Sequence, residues 1–329
     1  MAIISENTIS SIISMPKADL HVHLNGLFNS DIVRQILTDE NITLPLNFNP
    51  LNDCVVTRRV DSLVKYFKPW EALHLIPNQI QHFRKLVSSA FEYLASENIR
   101  YVELRSSAIY LSYLLKLSIE DTLNLMIDIL DEFSHVSFID YSLIITIQRS
   151  KNAIYDLQRF LEAYCNIGMP KRIVALDLAG NEDFPVSKDL QAMFRKAKDK
   201  YGLKITIHAG ETGNIRSIYE AIDLYSADRI GHGCAAVTDL NLLEKLSKNQ
   251  ICIEVCPTSN YLTNAYNGLP PHITFKKYEI PFVICSDNPG IHKKGLSDDY
   301  IRFLEEGGSF EILQNMFDEQ MKYSFVKER

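Results

Sequence analysis

Ala18-Asp19-Leu20-His21-Val22-His23-Leu24-Asn25-Gly26 starts as a buried strand and ends on polar groups before a glycine. Side chains alternate faces along a strand, so His21 and His23 share one side, about 6–7 Å apart along it. Two imidazoles converging in this way make half of a transition-metal site, although an HxH alone also fits incidental histidines. Seven further short runs of the same buried, β-branched type follow: Arg100–Leu104, Ser142–Ile147, Arg172–Leu178, Lys204–His208, Arg229–His232, Ile251–Cys256 and Pro281–Cys285. Runs apolar throughout belong to strands covered on both faces.

Between most of these runs lie stretches with helical periodicity. In Ile119–Phe133, Leu123, Met126, Ile127 and Leu130 fall on one face, and Ser118 is placed to cap. Asn152–Tyr164, Lys188–Tyr201, Ile215–Leu224 and Asn241–Lys248 repeat the pattern. Strand and helix in alternation imply a parallel sheet with right-handed crossovers, and eight strands favour closure. The expected fold is therefore α/β, a (β/α)8 TIM barrel. The connection from Leu27 to Asn98 is long and holds helical segments at Val60–Trp70 and Gln79–Leu94, which reads as an insertion over one mouth of the barrel. The C-terminal Leu296–Val326 region reads as helices that complete the outer ring.

No repeat, low-complexity tract or linker divides the 329 residues, so one domain over 1–329 is expected. The 34 basic and 41 acidic side chains leave a net charge of −7. With no basic excess to neutralise phosphates, neither a nucleic acid nor an anionic membrane is the expected partner, while a small nucleoside or nucleotide stays open. Met-Ala-Ile-Ile-Ser-Glu lacks the cationic start of a secretory leader, and the apolar runs fall short of the roughly 20 residues that span a bilayer. Six scattered cysteines without a CxxC read as free thiols in a reducing compartment, so a cytoplasmic location is expected.

Three more strand ends carry polar groups. Ile207-His208-Ala209-Gly210-Glu211-Thr212-Gly213 puts an imidazole at a strand end and a carboxylate three positions on, in a turn that glycine lets bend sharply. Glu211 would also suit a cap on the next helix. In Arg229-Ile230-Gly231-His232-Gly233 the histidine has no bulky neighbours, which fits a ring projecting into a cavity or a packed one. Val283-Ile284-Cys285-Ser286-Asp287-Asn288-Pro289-Gly290 follows its strand with polar groups, and Asp287 could equally form an Asx turn or cap a helix. Together, all four sit at C-terminal strand ends, the face where barrels of this kind carry active sites. Three histidines and an aspartate there suit Zn²⁺ or a similar ion and leave room for water. Glu103 and Arg105 face one way on the second strand and read as a structural ion pair. Phe67, Pro69 and Trp70 suit either a hydrophobic lid or a helix packed on the barrel, and His74, His82, His135, His272 and His292 read as surface or packing residues.

HVHLNG, DLAGNE (177–182), HAGE (208–211), RIGHG (229–233), CPTSN (256–260) and SDNPG (286–290), in that order, resemble the adenosine deaminase family from about Met15 to the C-terminus. The resemblance implies a (β/α)8 barrel that hydrolytically removes ammonia from an adenine-type ring, with one Zn²⁺ per chain. It implies His21, His23, His208 and Asp287 as zinc ligands and Glu211 as proton donor to purine N1, which requires a raised pKa. His232 would orient and help deprotonate the attacking water, and the Gly180 N–H would meet purine N3. Substrate would also meet His23, Asn25 and Asn288. Family members usually carry Asp-Asp where this chain has Asp287-Asn288, and many have HxHLDG where Asn25 stands here. The Asn288 amide can still donate to purine N7. A neutral Asn25 removes repulsion against phosphate and is a feature of the branch acting on N6-modified AMP. Adenosine or deoxyadenosine is the leading substrate, with N6-modified AMP, adenine or another adenine derivative as alternatives. A zinc-retaining binding barrel without turnover is the non-enzymatic alternative.

Overall fold

The structure, a computed structural model, describes residues 4–326, so the Met1-Ala2-Ile3 end of the stretch read for a leader lies outside the described residues. The eight strands are β1 (Lys17–His23), β2 (Ile99–Ser106), β3 (Asp140–Gln148), β4 (Ile173–Ala179), β5 (Lys204–Ala209), β6 (Arg229–His232), β7 (Cys252–Val255) and β8 (Phe282–Ile284). Each pairs with its sequence neighbour, and every pairing is parallel. A bridge between Val22 and Asp287 joins β1 to the segment after β8. There the His23 N–H donates to the Asp287 carbonyl at 2.9 Å and the Asp287 N–H to the His21 carbonyl at 2.9 Å. The eight-stranded barrel expected from the alternation is thus formed. Asp287 contributes both a seam between strands and a side chain at the mouth.

Helices follow their sequence signals closely where a full amphipathic face exists. Lys188–Tyr201 starts after Ser187, whose hydroxyl accepts from the Leu190 N–H, and stops at Gly202 with φ +66°. Ser118 caps its helix as expected, accepting from the Asp121 N–H, and that helix runs on to Ser137. The insertion between β1 and β2 departs from expectation at Val60–Trp70. Instead of one helix it holds two single turns, Leu63–Tyr66 and Trp70–Leu73. Pro69 stands between them, and without an N–H it cannot continue the first turn.

The C-terminal helices Leu296–Glu305, Phe310–Gln314 and Met316–Tyr323 close the far end of the barrel. The Gln320 amide accepts from the Ala18 N–H at 3.0 Å and donates to the Ile284 carbonyl at 2.9 Å, stapling β1 to β8 beneath the seam. Inside the barrel, Glu103 and Arg105 both lie fully buried, but they do not pair with each other. Glu103 binds Arg229 of β6, whereas Arg105 stands between Asp177 of β4 and Glu254 of β7. Same-side residues two apart on one strand splay along it, and a charge facing the barrel axis finds its partner across the lumen. Among the described residues no helix is long and apolar enough to cross a membrane.

Candidate active site

His21 and His23 at the end of β1, His208 on β5 and Asp287 after β8 converge at the C-terminal mouth. Their ligand atoms all lie within 4.8 Å of one another. His208 Nε2 is 3.1 Å from His21 Nε2 and 3.2 Å from His23 Nε2, and Asp287 Oδ1 lies 3.6 and 3.5 Å from the same two atoms. Hydrogen positions follow from the partners behind two of these rings. His21 Nδ1 meets Glu254 Oε2 at 2.7 Å, and His208 Nδ1 meets Asp177 Oδ1 at 2.9 Å. A carboxylate only accepts, so each Nδ1 carries the proton and each Nε2 turns a lone pair to the centre. Three nitrogens and one carboxylate oxygen pointing at a common centre fit a transition-metal cation such as zinc.

Electrostatics favour the same occupancy. Burial, helped by Arg105, pushes His21 well below the usual imidazole value, and burial lowers His23 to about 4. Both are neutral, as ligands must be. Burial opposes charge on Asp287, but the surrounding imidazoles outweigh it and hold its carboxyl below the usual range. Gly231 makes room for this cluster, since a Cβ there would stand 2.9 Å from His21 Cε1. The glycine before His232 therefore serves the neighbouring imidazole rather than freeing His232 itself.

Glu211 and His232 stand beside the cluster, with Glu211 Oε2 at 3.8 Å from His232 Nε2. His232 Nδ1 donates to Asn260 Oδ1 at 2.9 Å, so Nε2 is the atom facing the cavity. Burial raises the Glu211 carboxyl above the ordinary value, with His232 opposing in part. Burial works against charge on His232, yet the Glu211 and Asp287 carboxylates outweigh it and raise that imidazole. Glu211 is not a cap for the following helix, because Asn214 fills that position and accepts from the Ser217 N–H. Asp287 is not a cap either; Asn288 occupies that place before Pro289–His292.

A cavity of about 520 Å³ opens over these groups, and Asn25, Gly180 and Asn288 line it with Glu211 and His232. The insertion supplies Phe67 and Trp70 to the opposite wall, so these aromatics face the cavity. Gly180 adopts φ +94°, a backbone open to glycine, and its carbonyl accepts from Arg149 Nη1 at 3.3 Å. Several supporting residues were not singled out from the sequence. Glu182 accepts from the N–H groups of Gly210 and Glu211, at 2.7 Å each, and so holds the turn that carries Glu211. Asp177 and Glu254 orient the imidazoles of His208 and His21, and Asn260 orients His232. A carboxylate in the middle of an otherwise apolar strand was the available signal for Asp177 and Glu254. His292, expected as a surface or packing residue, lies buried against Tyr66, whose hydroxyl is 2.6 Å from its Nε2.

Fold and site together define a barrel hydrolase. The chain belongs to the adenosine deaminase family, whose pattern it matches over residues 16–329, and it is a hydrolytic deaminase acting on C–N bonds. It is 29% identical over 323 residues to an adenosine deaminase of Clostridium kluyveri, spanning 95% of this chain and 90% of that one. An N6-mAMP deaminase from Arabidopsis superposes with a TM-score of 0.80 at 25% identity, covering 97% of this chain and 96% of the other. An amidohydrolase from Burkholderia ambifaria with bound zinc shares the fold, with a TM-score of 0.85 at 17% identity over 99% of this chain and 90% of that one.

Proposed function

We propose that the protein is a zinc-dependent enzyme that hydrolyses the 6-amino group of adenosine and deoxyadenosine, giving an inosine-type product and ammonia. The observation that carries this reading is the buried Glu211 carboxyl facing His232 at 3.8 Å, beside the cluster of His21, His23, His208 and Asp287. His21, His23, His208 and Asp287 would hold the zinc, which when bound supplies Lewis acidity that lowers the pKa of a water near it. His232 Nε2 faces the cavity and takes a proton from the water that attacks C6. Glu211, whose carboxyl burial raises above its ordinary value, gives its proton to purine N1, which relieves the charge that addition places on the ring. The amino group then leaves as ammonia with the proton that His232 took from the water. The C6 hydroxyl becomes the carbonyl of the product as its proton returns to Glu211, while N1 keeps its hydrogen. Gly180 would meet N3 and Asn288 would donate to N7, while Asn25 and His23 would face the sugar.

A second reading has its own support. Ser106, Ser107 and Asn25 line the cavity without a carboxylate among them, which suits a 5′-phosphate and hence N6-modified AMP. The free state of the six cysteines among the described residues supports a reducing, cytoplasmic setting.

Release of ammonia from adenosine, deoxyadenosine, adenine and AMP, and of methylamine from N6-methyl-AMP, by zinc-loaded protein tests both readings. Adenosine is expected to give the highest kcat/KM; a preference for N6-methyl-AMP would establish the second, and neither ammonia nor methylamine from any of them would overturn both. Glu211→Gln is expected to keep its zinc and lose on the order of 10²–10⁴-fold in kcat. Normal turnover in that variant would remove Glu211 from its assigned role. His21→Ala is expected to lower the zinc content, read by elemental analysis.

A further inference from the structure

Asp287 offers two oxygens that face different ways. Oδ1 looks at the imidazole cluster, while Oδ2 lies 3.3 Å from the hydroxyl of Tyr66. Tyr66 ends the single turn Leu63–Tyr66 of the insertion and is only 2% exposed. Its hydroxyl also lies 2.6 Å from His292 Nε2 and 3.3 Å from Ser259 Oγ, and it receives a hydrogen bond from Asn288 Nδ2 at 3.0 Å. His292 is 1% exposed, and its Nδ1 has no hydrogen-bond partner.

A phenol has one proton and two lone pairs, which fixes how these contacts divide. If Tyr66 gave its proton to His292, its lone pairs would face the Asp287 carboxylate. His292 would then carry its own proton on Nδ1, an orphan donor in the interior, and buried N–H groups without partners are rare and costly. If Tyr66 gives its proton to Asp287 Oδ2, both lone pairs are free to accept from His292 Nε2–H and Asn288 Nδ2–H. His292 is then left with only an unfilled acceptor. Donation runs from His292 to Tyr66 to Asp287, and Asn288 joins the same oxygen. From the other side Gly26 presses on the amide, since a Cβ at that glycine would overlap Asn288 Oδ1. The second Nδ2 hydrogen of Asn288 remains for a ligand in the cavity.

We propose that Tyr66 and His292 are positioning residues: one hydroxyl sets both the metal-facing oxygen of Asp287 and the cavity-facing amide of Asn288. The assignment rests on the reading of Asp287 as a zinc ligand. It also ties the insertion that covers the cavity, through Tyr66, to the metal site beneath it.

The test uses the full-length protein and reads zinc affinity by competition with a chromophoric chelator, together with the visible spectrum of the cobalt-substituted protein. Neither readout needs a substrate. Tyr66→Phe keeps the ring and is expected to bind zinc about 10–100-fold more weakly, with an altered cobalt spectrum. Its kcat on whichever adenine compound is turned over is expected to fall more than its KM rises. His292→Phe should weaken zinc in the same way, whereas His292→Gln, whose amide can donate to the same oxygen, should restore it. The double variant Tyr66→Phe/His292→Phe should be no weaker than Tyr66→Phe alone, because one chain of contacts is broken in both. Wild-type zinc affinity and an unchanged cobalt spectrum in Tyr66→Phe would overturn the proposal and leave the deaminase reading intact. A wild-type chain that binds zinc yet deaminates nothing would sink the deaminase reading alone; one that binds no zinc would sink both.

Discussion

Glu254 sits in the middle of a four-residue strand, fully buried, and has four partners: Arg105, Arg229, Thr206 and the Nδ1 of His21. The two guanidiniums outweigh its burial and keep its carboxyl below the usual range, so it stays charged. That charge does two things: it fixes the tautomer of His21 and it balances arginines that have no route to water. Removing one partner of a buried ion pair costs roughly 3–5 kcal/mol, because the other charge is stranded. Glu254→Gln is therefore expected to destabilise the metal-free protein by about that amount, read from urea unfolding. It should also weaken zinc by about 10–100-fold, read by chelator competition. If Glu254→Gln unfolds at the wild-type urea concentration, the buried charges do not form the connected layer described above. The same scale shows backbone constraint. His232 and Asp287 both have positive φ, +65° and +61°, although neither is glycine. Such conformations persist where the surroundings determine them, and both residues are held by pairing across the barrel mouth.

The elements differ in how far the chain announces them. β4 is buried at six of its seven positions, so its run is apolar except for Asp177, and its reading as Arg172–Leu178 falls within one residue of Ile173–Ala179. The insertion lacks that regularity. Leu63–Tyr66 and Trp70–Leu73 are single turns, too short for a periodicity to develop, and Pro69 divides what reads as one amphipathic stretch. Their role comes from tertiary contact: Trp70 packs edge-on against Phe67 at 5.4 Å and tilted against Tyr66 at 5.7 Å, with the cavity on the other side. Trp70→Ala is expected to raise KM roughly tenfold, the loss of about one apolar wall contact worth 1–2 kcal/mol. Its kcat should fall less than that of Tyr66→Phe, since Trp70 reaches the catalytic groups only through its packing on Tyr66. Steady-state kinetics separates the two constants, and a fall confined to kcat would contradict the wall assignment. In the site itself, the residues at strand ends were legible because position along a strand fixes which mouth they reach. Their supports were not. Asp177, Glu182, Glu254 and Asn260 meet their partners across sequence separations of 31, 28, 233 and 28 residues, and no local pattern records such a meeting. His292 shows the same limit from the other side, since nothing near it in the chain points to Tyr66.

At the scale of the whole molecule, the barrel is drawn shut at both ends by backbone and amide hydrogen bonds, while buried imidazoles make it respond to pH. The mouth is joined through Asp287, the far end through Gln320, and several imidazoles are packed neutral between the barrel and its outer helices. His272 is 2% exposed and packs tilted against Phe303, ring centres 4.6 Å apart, with its Nε2 unpartnered; burial lowers its pKa from 6.5 to about 4, the Glu306 backbone opposing. Burial takes His292 to about 4 as well, against the pull of Asp287. A histidine whose pKa is depressed by folding takes up its proton more readily in the unfolded chain. Stability from such a group is complete above the unfolded value of 6.5 and is lost as the pH falls towards about 4. Each pKa unit corresponds to about 1.4 kcal/mol, so the two imidazoles together account for a few kcal/mol over this window. The carboxylates depressed by ion pairing, Asp177 and Asp287, act below this range, beneath their ordinary value of 3.8. Metal-free protein should thus show a urea midpoint that drops between pH 6.5 and 4, before those carboxylates titrate. His272→Phe fills the same space without a titrating group, next to an aromatic it can still stack on, and is expected to make that drop shallower. A midpoint that falls as steeply in His272→Phe as in the wild type would show that the acid sensitivity arises elsewhere in the barrel.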